Sequence, residues 1–175
     1  MIVRLVGSEM CIRDSDINDE EEFYRLVNKV ETGFIRTEAD EVHYNLHIML
    51  RFELEVEVIA KNLEVLDLPD AWNTKFKDYF GRDIEKSSDG ILQDVHWSIG
   101  AFGYFPTYTL GNLNAGCLFE KMRKDIPRLE DQFEIGDVTL ATTWLTENIH
   151  KHGSLYEPAD LIKKATGKDL SLIHI

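Results

Sequence analysis

The chain has 175 residues, enough for one domain with an apolar core. Its formal net charge of −13 disfavours nucleic acid or an anionic lipid surface as a partner, because both repel an acidic protein. No run of about 18 apolar residues occurs, so the sequence predicts no membrane span. Two cysteines, Cys11 and Cys117, are too few for a disulfide framework, which favours a reducing compartment.

Apolar spacing predicts a first helix that begins in the acidic segment 16–22. Acidic side chains suit the positive end of a helix dipole. Phe23, Leu26, Val27 and Val30 then recur at helical spacing, and Gly33 is predicted to end the helix.

A long second helix is predicted over residues 35–63. Its apolar face is marked by residues that fall seven apart, namely Ile35, Val42, Met49, Val56 and Leu63, with Ala39, Leu46 and Leu50 on the same side.

Capping residues, prolines and glycines predict four further helices. The first has Asp67 as its cap and ends at Gly81, with Trp72, Phe76 and Phe80 on one face. The others are predicted over residues 108–124, from Asp137 to Gly153, and from Pro158 to Gly167. No alternating strand of useful length occurs, so we predict an all-α fold without a domain boundary inside residues 16–170.

A polar stripe accompanies the long predicted helix. At about 100° per residue, Arg36, Asp40, His43 and His47 lie on one side of it. They suit an anionic group, a metal, or hydrogen bonds with each other. The two histidines have the spacing of a zinc-binding pair but lack a third ligand, so a structural role is the stronger interpretation.

Residues 90–97 read GILQDVHW, an unusual composition for a core segment. Asp94 is placed to orient the ring of His96, which could exchange a proton with a reacting group. The alternative is that Asp94 caps a short helix and His96 is a hydrogen-bonded core residue.

Residues 102–108 read FGYFPTY and predict an aromatic loop, with Pro106 stiffening the entry to a helix. The hydroxyls of Tyr104 and Tyr108 could stabilise an oxyanion or a substrate carboxylate. The alternative is that both rings only pack, each with one hydrogen bond.

Together these segments resemble a known family. Residues 35–40, IRTEAD, resemble the [I/V]-R-x-x-A-D motif of the M32 metallocarboxypeptidases, the carboxypeptidase Taq type. GILQDVHW resembles that family's G-x-x-Q-D-x-H-W motif at every defined position. Residues 44–47, 102–113 and 158–167 are also similar, and the resemblance covers residues 16–170.

The resemblance implies a large, all-helical, cytoplasmic carboxypeptidase that removes single residues from peptide C-termini, often as a homodimer. Such enzymes use zinc or cobalt, held by H-E-x-x-H and a downstream glutamate that precede the arginine motif, and a glutamate acts as general base. H-E-x-x-H is absent here, and no histidine precedes His43. The chain is therefore expected to be a C-terminal fragment without metal ligands, and inactive by itself.

The resemblance also implies residue roles. Arg36 matches the arginine that holds the substrate's terminal carboxylate, for which a planar fork of donors is well suited. His96 is expected to stabilise the tetrahedral intermediate or bind substrate, with Tyr104 or Tyr108 assisting. The remaining motif residues are expected to hold these side chains in place; they are Asp40, Gln93 and Asp94.

Both ends depart from the family. Residues 1–15 and 171–175 have no recognisable counterpart in it and look like translated adapter sequence, so they are expected to be a non-native leader and tail; genuine variable termini are the alternative. Arg4 and Glu9 interrupt the apolar patch of the leader, which disfavours a secretory signal.

Two rival functions remain open. One is a non-catalytic helical protein that binds peptides or dimerises, keeping Arg36 as a carboxylate anchor. The other is a metal-binding module built on His43 and His47.

Overall fold

The fold is built from α-helices, with no strand among residues 19–170, the part of the chain that the computed structural model describes. The all-α prediction is therefore confirmed. The chain separates into two compact units that divide between Phe102 and Gly103. The extent of the predicted domain, residues 16–170, stays a prediction. Within the described range no helix is both long and apolar enough to cross a bilayer.

The first helix, α1, spans Glu20–Val27. Asp19 caps it by accepting a hydrogen bond from the backbone N–H of Glu21 at 3.1 Å, and three glutamates occupy the first turn. The helix ends before the predicted stop at Gly33, and at its end the Asn28 side chain donates to the carbonyl of Tyr24 at 2.9 Å. The predicted start of the helix, near residue 16, lies outside the described residues.

The second helix, α2, spans Glu41–Ile59 and begins six residues later than predicted. The side chain of Asp40 accepts hydrogen bonds from the backbone N–H groups of Val42 and His43, both at 2.9 Å, and so starts the helix. Before it, Arg36–Glu38 form a single 3₁₀ turn. The prediction that Arg36 shares a helical stripe with Asp40, His43 and His47 is therefore wrong.

The buried face of α2 also differs from the prediction. Val42, Met49 and Val56, predicted to be core residues, are 61%, 46% and 46% exposed. Leu50, predicted to lie on the apolar face, is buried, and with Leu54 it lies beside three polar residues spaced four apart: His47, Arg51 and Glu55. Polar side chains are stable there only because other segments supply partners for them.

The third helix, α3, spans Leu68–Phe80 and packs against α2. Pro69 lies in its first turn and Gly81 ends it in the left-handed conformation, both as predicted. The predicted aromatic face is confirmed, since its residues join the core of the first unit; that core consists of Leu50, Leu54, Leu68, Trp72, Phe76 and Phe80.

The second unit contains four helices in its described part: α4 Pro106–Asp125, α5 Leu129–Glu134, α6 Thr139–Asn148 and α7 Pro158–Thr166. Asp137 caps α6, as predicted, by binding the backbone N–H of Thr139 at 2.8 Å. The predicted ends of α7 at Pro158 and Gly167 are also confirmed. A small core of Met122, Leu129 and Trp144 joins α4, α5 and α6.

Candidate functional site

The side chain of Gln93 ties the arginine segment to the segment that follows α3. Its Oε1 accepts a hydrogen bond from the backbone N–H of Arg36 at 2.8 Å. Its Nε2 donates to the carbonyls of Phe34, Asp89 and Gly90 at 3.0–3.1 Å. The amide orientation is consistent, since the oxygen meets a donor and the nitrogen meets only acceptors. One side chain thus holds the two motifs together, and its supporting role in a catalytic site stays a prediction.

Asp94 lies between two buried arginines. Arg36 donates to it through Nε at 3.1 Å and Nη2 at 2.7 Å, while Arg51 donates through Nε at 2.7 Å. Arg36 also donates from Nη1 to the hydroxyl of Tyr44 at 3.0 Å. Only 6% of Arg36 is exposed, and Arg51 is fully buried. These charge-assisted contacts fix the planes of both guanidinium groups.

The charges of this cluster are stable at neutral pH. Burial alone would raise the pKa of Asp94, but the two arginines outweigh it and hold that pKa below its ordinary value. Burial opposes the charge of Arg36, yet Asp94 raises its pKa. Arg51 is buried more deeply, and burial lowers its pKa to about 10. Two guanidinium groups and one carboxylate leave these three residues with a net positive charge.

His96 lies beside this cluster. Its Nδ1 is 3.9 Å from Oδ1 of Asp94, too far for the hydrogen bond expected of an orienting pair. The alternative prediction also fails for Asp94, because no side chain caps the 3₁₀ turn Trp97–Ile99 and Asp94 binds arginines instead. The side chain of His96 is 14% exposed.

Trp97 connects the same segment to α2. Its indole N–H donates to Oε1 of Glu55 at 2.8 Å. The ring meets Trp72 edge-on at 5.8 Å and stacks on Phe102 at 6.0 Å. Glu55 was not predicted to belong to the site.

Asp40 and the two histidines of α2 have separate surroundings. Asp40 binds Nδ1 of His43 at 2.9 Å and the backbone N–H of Glu31 at 2.9 Å. Although burial opposes it, these bonds lower the pKa of Asp40 to about 2. His47 is fully buried, with its ring 4.4 Å from that of Phe80. Burial, together with the charge of Arg51, lowers the pKa of His47 to about 4.

The described residues do not fit a metal ion. Between residues 19 and 170, no three His, Cys, Asp or Glu side chains form a group that could hold one. The nitrogen of His43 nearest to Asp40 is bonded to it, and the ring of His47 is packed among phenylalanines.

Tyr104 and Tyr108 lie in the second unit, at the start of α4. Their rings meet edge to face at 5.4 Å, and Tyr108 also contacts the buried ring of Phe105. Tyr104 is about half exposed and Tyr108 is partly buried. The catalytic role of either hydroxyl stays a prediction.

Arg51 and Glu55 are the site residues that sequence reasoning missed. Each lies a helical turn after the previous polar residue of the series His47, Arg51, Glu55, next to Leu50 and Leu54. That spacing was visible in the sequence. A charged residue beside a leucine every fourth position indicates a buried polar stripe, provided that another segment supplies partners.

The fold and both motifs are those of a metallopeptidase family. The family model for carboxypeptidase Taq (M32) metallopeptidases matches residues 8–174, and the chain belongs to this family. It is 43% identical over 169 residues to "Carboxypeptidase 1" of Bacillus subtilis, covering 97% of this chain and 33% of that protein. It is 45% identical over 150 residues to "Thermostable carboxypeptidase 1" of Pyrococcus furiosus, covering 86% and 30%.

Solved structures agree with this assignment. The chain matches the crystal structure of BsuCP with a TM-score of 0.89 at 41% identity, covering 97% of this chain and 34% of that one. It matches the carboxypeptidase of this family from Deinococcus radiodurans R1 with a TM-score of 0.83 at 43% identity, covering 87% and 31%. The chain therefore spans about a third of the length of the relatives it matches.

Proposed function

We propose that this chain is part of a metal-dependent carboxypeptidase that hydrolyses single residues from the C-termini of peptides. The observation that carries the proposal is the buried cluster in which Asp94 lies between Arg36, 58 positions away in the sequence, and Arg51, so that these three residues together carry a net positive charge. A peptide's C-terminal carboxylate is the anion that such a cluster suits. Family membership supports the same reaction class.

Arg36 is proposed to bind the terminal carboxylate of the substrate. Its guanidinium plane is fixed by Asp94, so little conformational entropy is lost when an anion binds to it. Three residues are proposed to hold Arg36 in place: Asp40 through the helix cap, Gln93 through its amide contacts and Asp94 through the ion pair.

His96 is proposed to bind substrate or stabilise the tetrahedral intermediate, with Tyr104 or Tyr108 assisting. An imidazole and a phenol are both suitable donors to an oxygen that gains charge. The complete protein is proposed to be a cytoplasmic homodimer that uses zinc or cobalt, which activates a water molecule in such enzymes. The ligands of that metal are proposed to lie in a part of the protein that this chain does not contain.

The first test extends the coding sequence upstream in the source sample. An in-frame H-E-x-x-H followed by a glutamate is expected, and the extended protein should release the terminal residue of a blocked dipeptide in the presence of zinc or cobalt. A start codon without such a motif would overturn the proposal. It would favour a non-catalytic helical protein that binds peptides or dimerises.

The second test uses the 175-residue chain as it stands. Mixed with excess zinc and the blocked dipeptide, it should release no amino acid, and clear release would contradict the fragment interpretation. Peptide binding that Arg36→Ala abolishes and a chelator leaves unchanged would support the non-catalytic alternative.

In the extended enzyme, Arg36→Lys tests the carboxylate contact. It keeps the charge and loses the fork, so KM for the dipeptide should rise by more than kcat falls. Arg82→Lys is the matched control, because Arg82 lies at the surface on the ring of Phe34. An equal KM in the two variants would contradict the role of Arg36.

A further inference from the structure

The segment that carries His96 is attached to α2 at two points. On one side of His96, Asp94 receives hydrogen bonds from Arg51. On the other side, Trp97 donates its indole N–H to Glu55. Arg51 and Glu55 are four residues apart on α2, so their side chains leave the same face of the helix about one turn, or ~5.4 Å, apart.

The attachment through Arg51 is rigid. Its Nη1 donates to the carbonyl of His47 at 2.7 Å, and the guanidinium lies 4.7 Å from the ring centroid of Trp72. No part of Arg51 is exposed. A guanidinium held by a carboxylate, a carbonyl and an aromatic face has a single orientation.

The attachment through Glu55 is rigid for a different reason. The indole of Trp97 packs between the edge of Trp72 and the face of Phe102. Glu55 is only 4% exposed, so its hydrogen bond to the indole does not compete with bulk water. A buried hydrogen bond of this kind is costly to break, because it leaves an unsatisfied polar group.

His96 has little freedom between these two points. Its backbone lies in the helical region, with φ −55° and ψ −50°, and its carbonyl accepts a hydrogen bond from Ala101 at 2.8 Å. The backbone of His96, and with it the point from which the ring projects, is therefore held by residues on both sides of it, and those residues are held by α2.

We propose that Arg51 and Glu55 are positioning residues: spaced one turn apart on α2, they hold Asp94 and Trp97 and thereby fix where the His96 ring is placed. The inference rests on the proposed function only for why that placement matters to catalysis. The placement itself is a property of this chain and can be measured without the metal.

The experiment is NMR spectroscopy of the full chain and its variants. Glu55→Leu removes the acceptor of the Trp97 indole, whereas Glu55→Gln keeps an acceptor oxygen at the same place. Glu57→Leu is the matched control, since Glu57 lies on the exposed side of the same helix. Two signals are followed: hydrogen exchange of the Trp97 indole N–H and the chemical shifts of the His96 ring protons.

In Glu55→Leu, exchange of the Trp97 indole should accelerate by about tenfold, the equivalent of one lost hydrogen bond, and the His96 ring signals should move. Glu55→Gln and Glu57→Leu should leave both signals as they are. The indole of Trp144, which donates to Asp125 in the second unit, provides an internal reference that no variant should change.

Arg51→Lys tests the other attachment. It keeps a positive charge beside Asp94 but loses the fork, so the His96 ring signals should move while the Trp97 indole stays protected. If Glu55→Leu does not fold, Arg51→Lys still tests whether α2 positions His96.

His96 ring signals that are unchanged in Arg51→Lys would overturn the inference, whatever Glu55→Leu does. Failure of the proposed function has a different signature. In the extended enzyme, a His96→Ala variant with full kcat would refute the role of His96 in the reaction, while the NMR result would still support the positioning of its ring.

Discussion

The two units of the chain differ in whether they bury charged residues. The first unit buries Arg36 and Arg51 around Asp94, where each charge depends on its neighbours. The second unit keeps pairs such as Arg128 with Asp131 at the surface, where water solvates both partners. Buried charges are costly to separate, whereas exposed pairs contribute little to stability. The same chemical interaction therefore has different consequences in the two units.

The largest effect is expected for Asp94→Asn, which tests the buried ion pairs of the first unit. It leaves two buried guanidinium groups without their shared carboxylate, and we expect the free energy of unfolding to fall by about 3–5 kcal/mol. Urea unfolding followed by circular dichroism measures it. Asp83→Asn is the control, because Asp83 pairs with Lys77 at the surface of the same unit. A similar loss in the two variants would contradict the comparison.

The next largest effect is the loss of stability that the buried His47 causes at acidic pH. Burial lowers the pKa of His47 from its ordinary value of 6.5 to about 4, so between these pH values the unfolded chain binds a proton that the folded chain does not. Stability is therefore lost as the pH falls from 6.5 to 4, by about 3 kcal/mol for this group.

His47→Leu should remove that pH dependence. It should also be tolerated at pH 7, because neither ring nitrogen has a hydrogen-bond partner among residues 19–170. The measurement is the free energy of unfolding at pH 7 and pH 4.5 for both proteins. His150→Leu, at an exposed histidine of the second unit, should leave the pH dependence unchanged. An equal loss in wild type and His47→Leu would refute the assignment.

A smaller effect is expected at the start of α2, where Asp40 is neither deeply buried nor fully exposed. Asp40→Ala removes the helix cap and should cost about 1–2 kcal/mol, while Asp40→Asn should cost less because asparagine also caps helices. Thermal unfolding of the two variants compares them directly. Equal stabilities would show that the carboxylate of Asp40 does not act through the cap.

The smallest effect on stability is expected for the exposed ion pairs of the second unit. Asp131→Asn in the second unit should change stability by about 0.2–1 kcal/mol at most, since its pair with Arg128 is exposed. The change should shrink further in 1 M salt, where the screening length is about 3 Å. A salt-independent loss of several kcal/mol would mean that the second unit also depends on its charges.

The sequence predicted a helix correctly where one short segment contained the signals for its start, its buried face and its end. α3 is an example, since Pro69, the three spaced aromatic residues and Gly81 give its start, its buried face and its end. The start of α2 was mispredicted because helical periodicity continues upstream of Asp40 and hides the capping role that its bonds to the backbone N–H groups reveal.

The sequence predicted the residues of the two motifs, but not the residues of α2 that bind to them. Gln93 and Asp94 were expected to support Arg36, and they contact it. Arg51 and Glu55 were missed because their partners, Asp94 and Trp97, lie 43 and 42 positions away in the sequence. The spacing of Arg51 and Glu55 within α2 indicates a buried polar stripe, but it does not identify partners so far away in the sequence.

The contacts of Gln93 have a consequence for the order in which the first unit assembles. They join positions 57 and 59 apart, so the chain must close a long loop before this one amide makes any of its bonds to residues 34–36. α2 and α3 are neighbours in sequence and meet at far lower entropic cost. We therefore expect the helix pair to form in the folding transition state, and the two motifs to come together only after the rate-limiting barrier has been crossed.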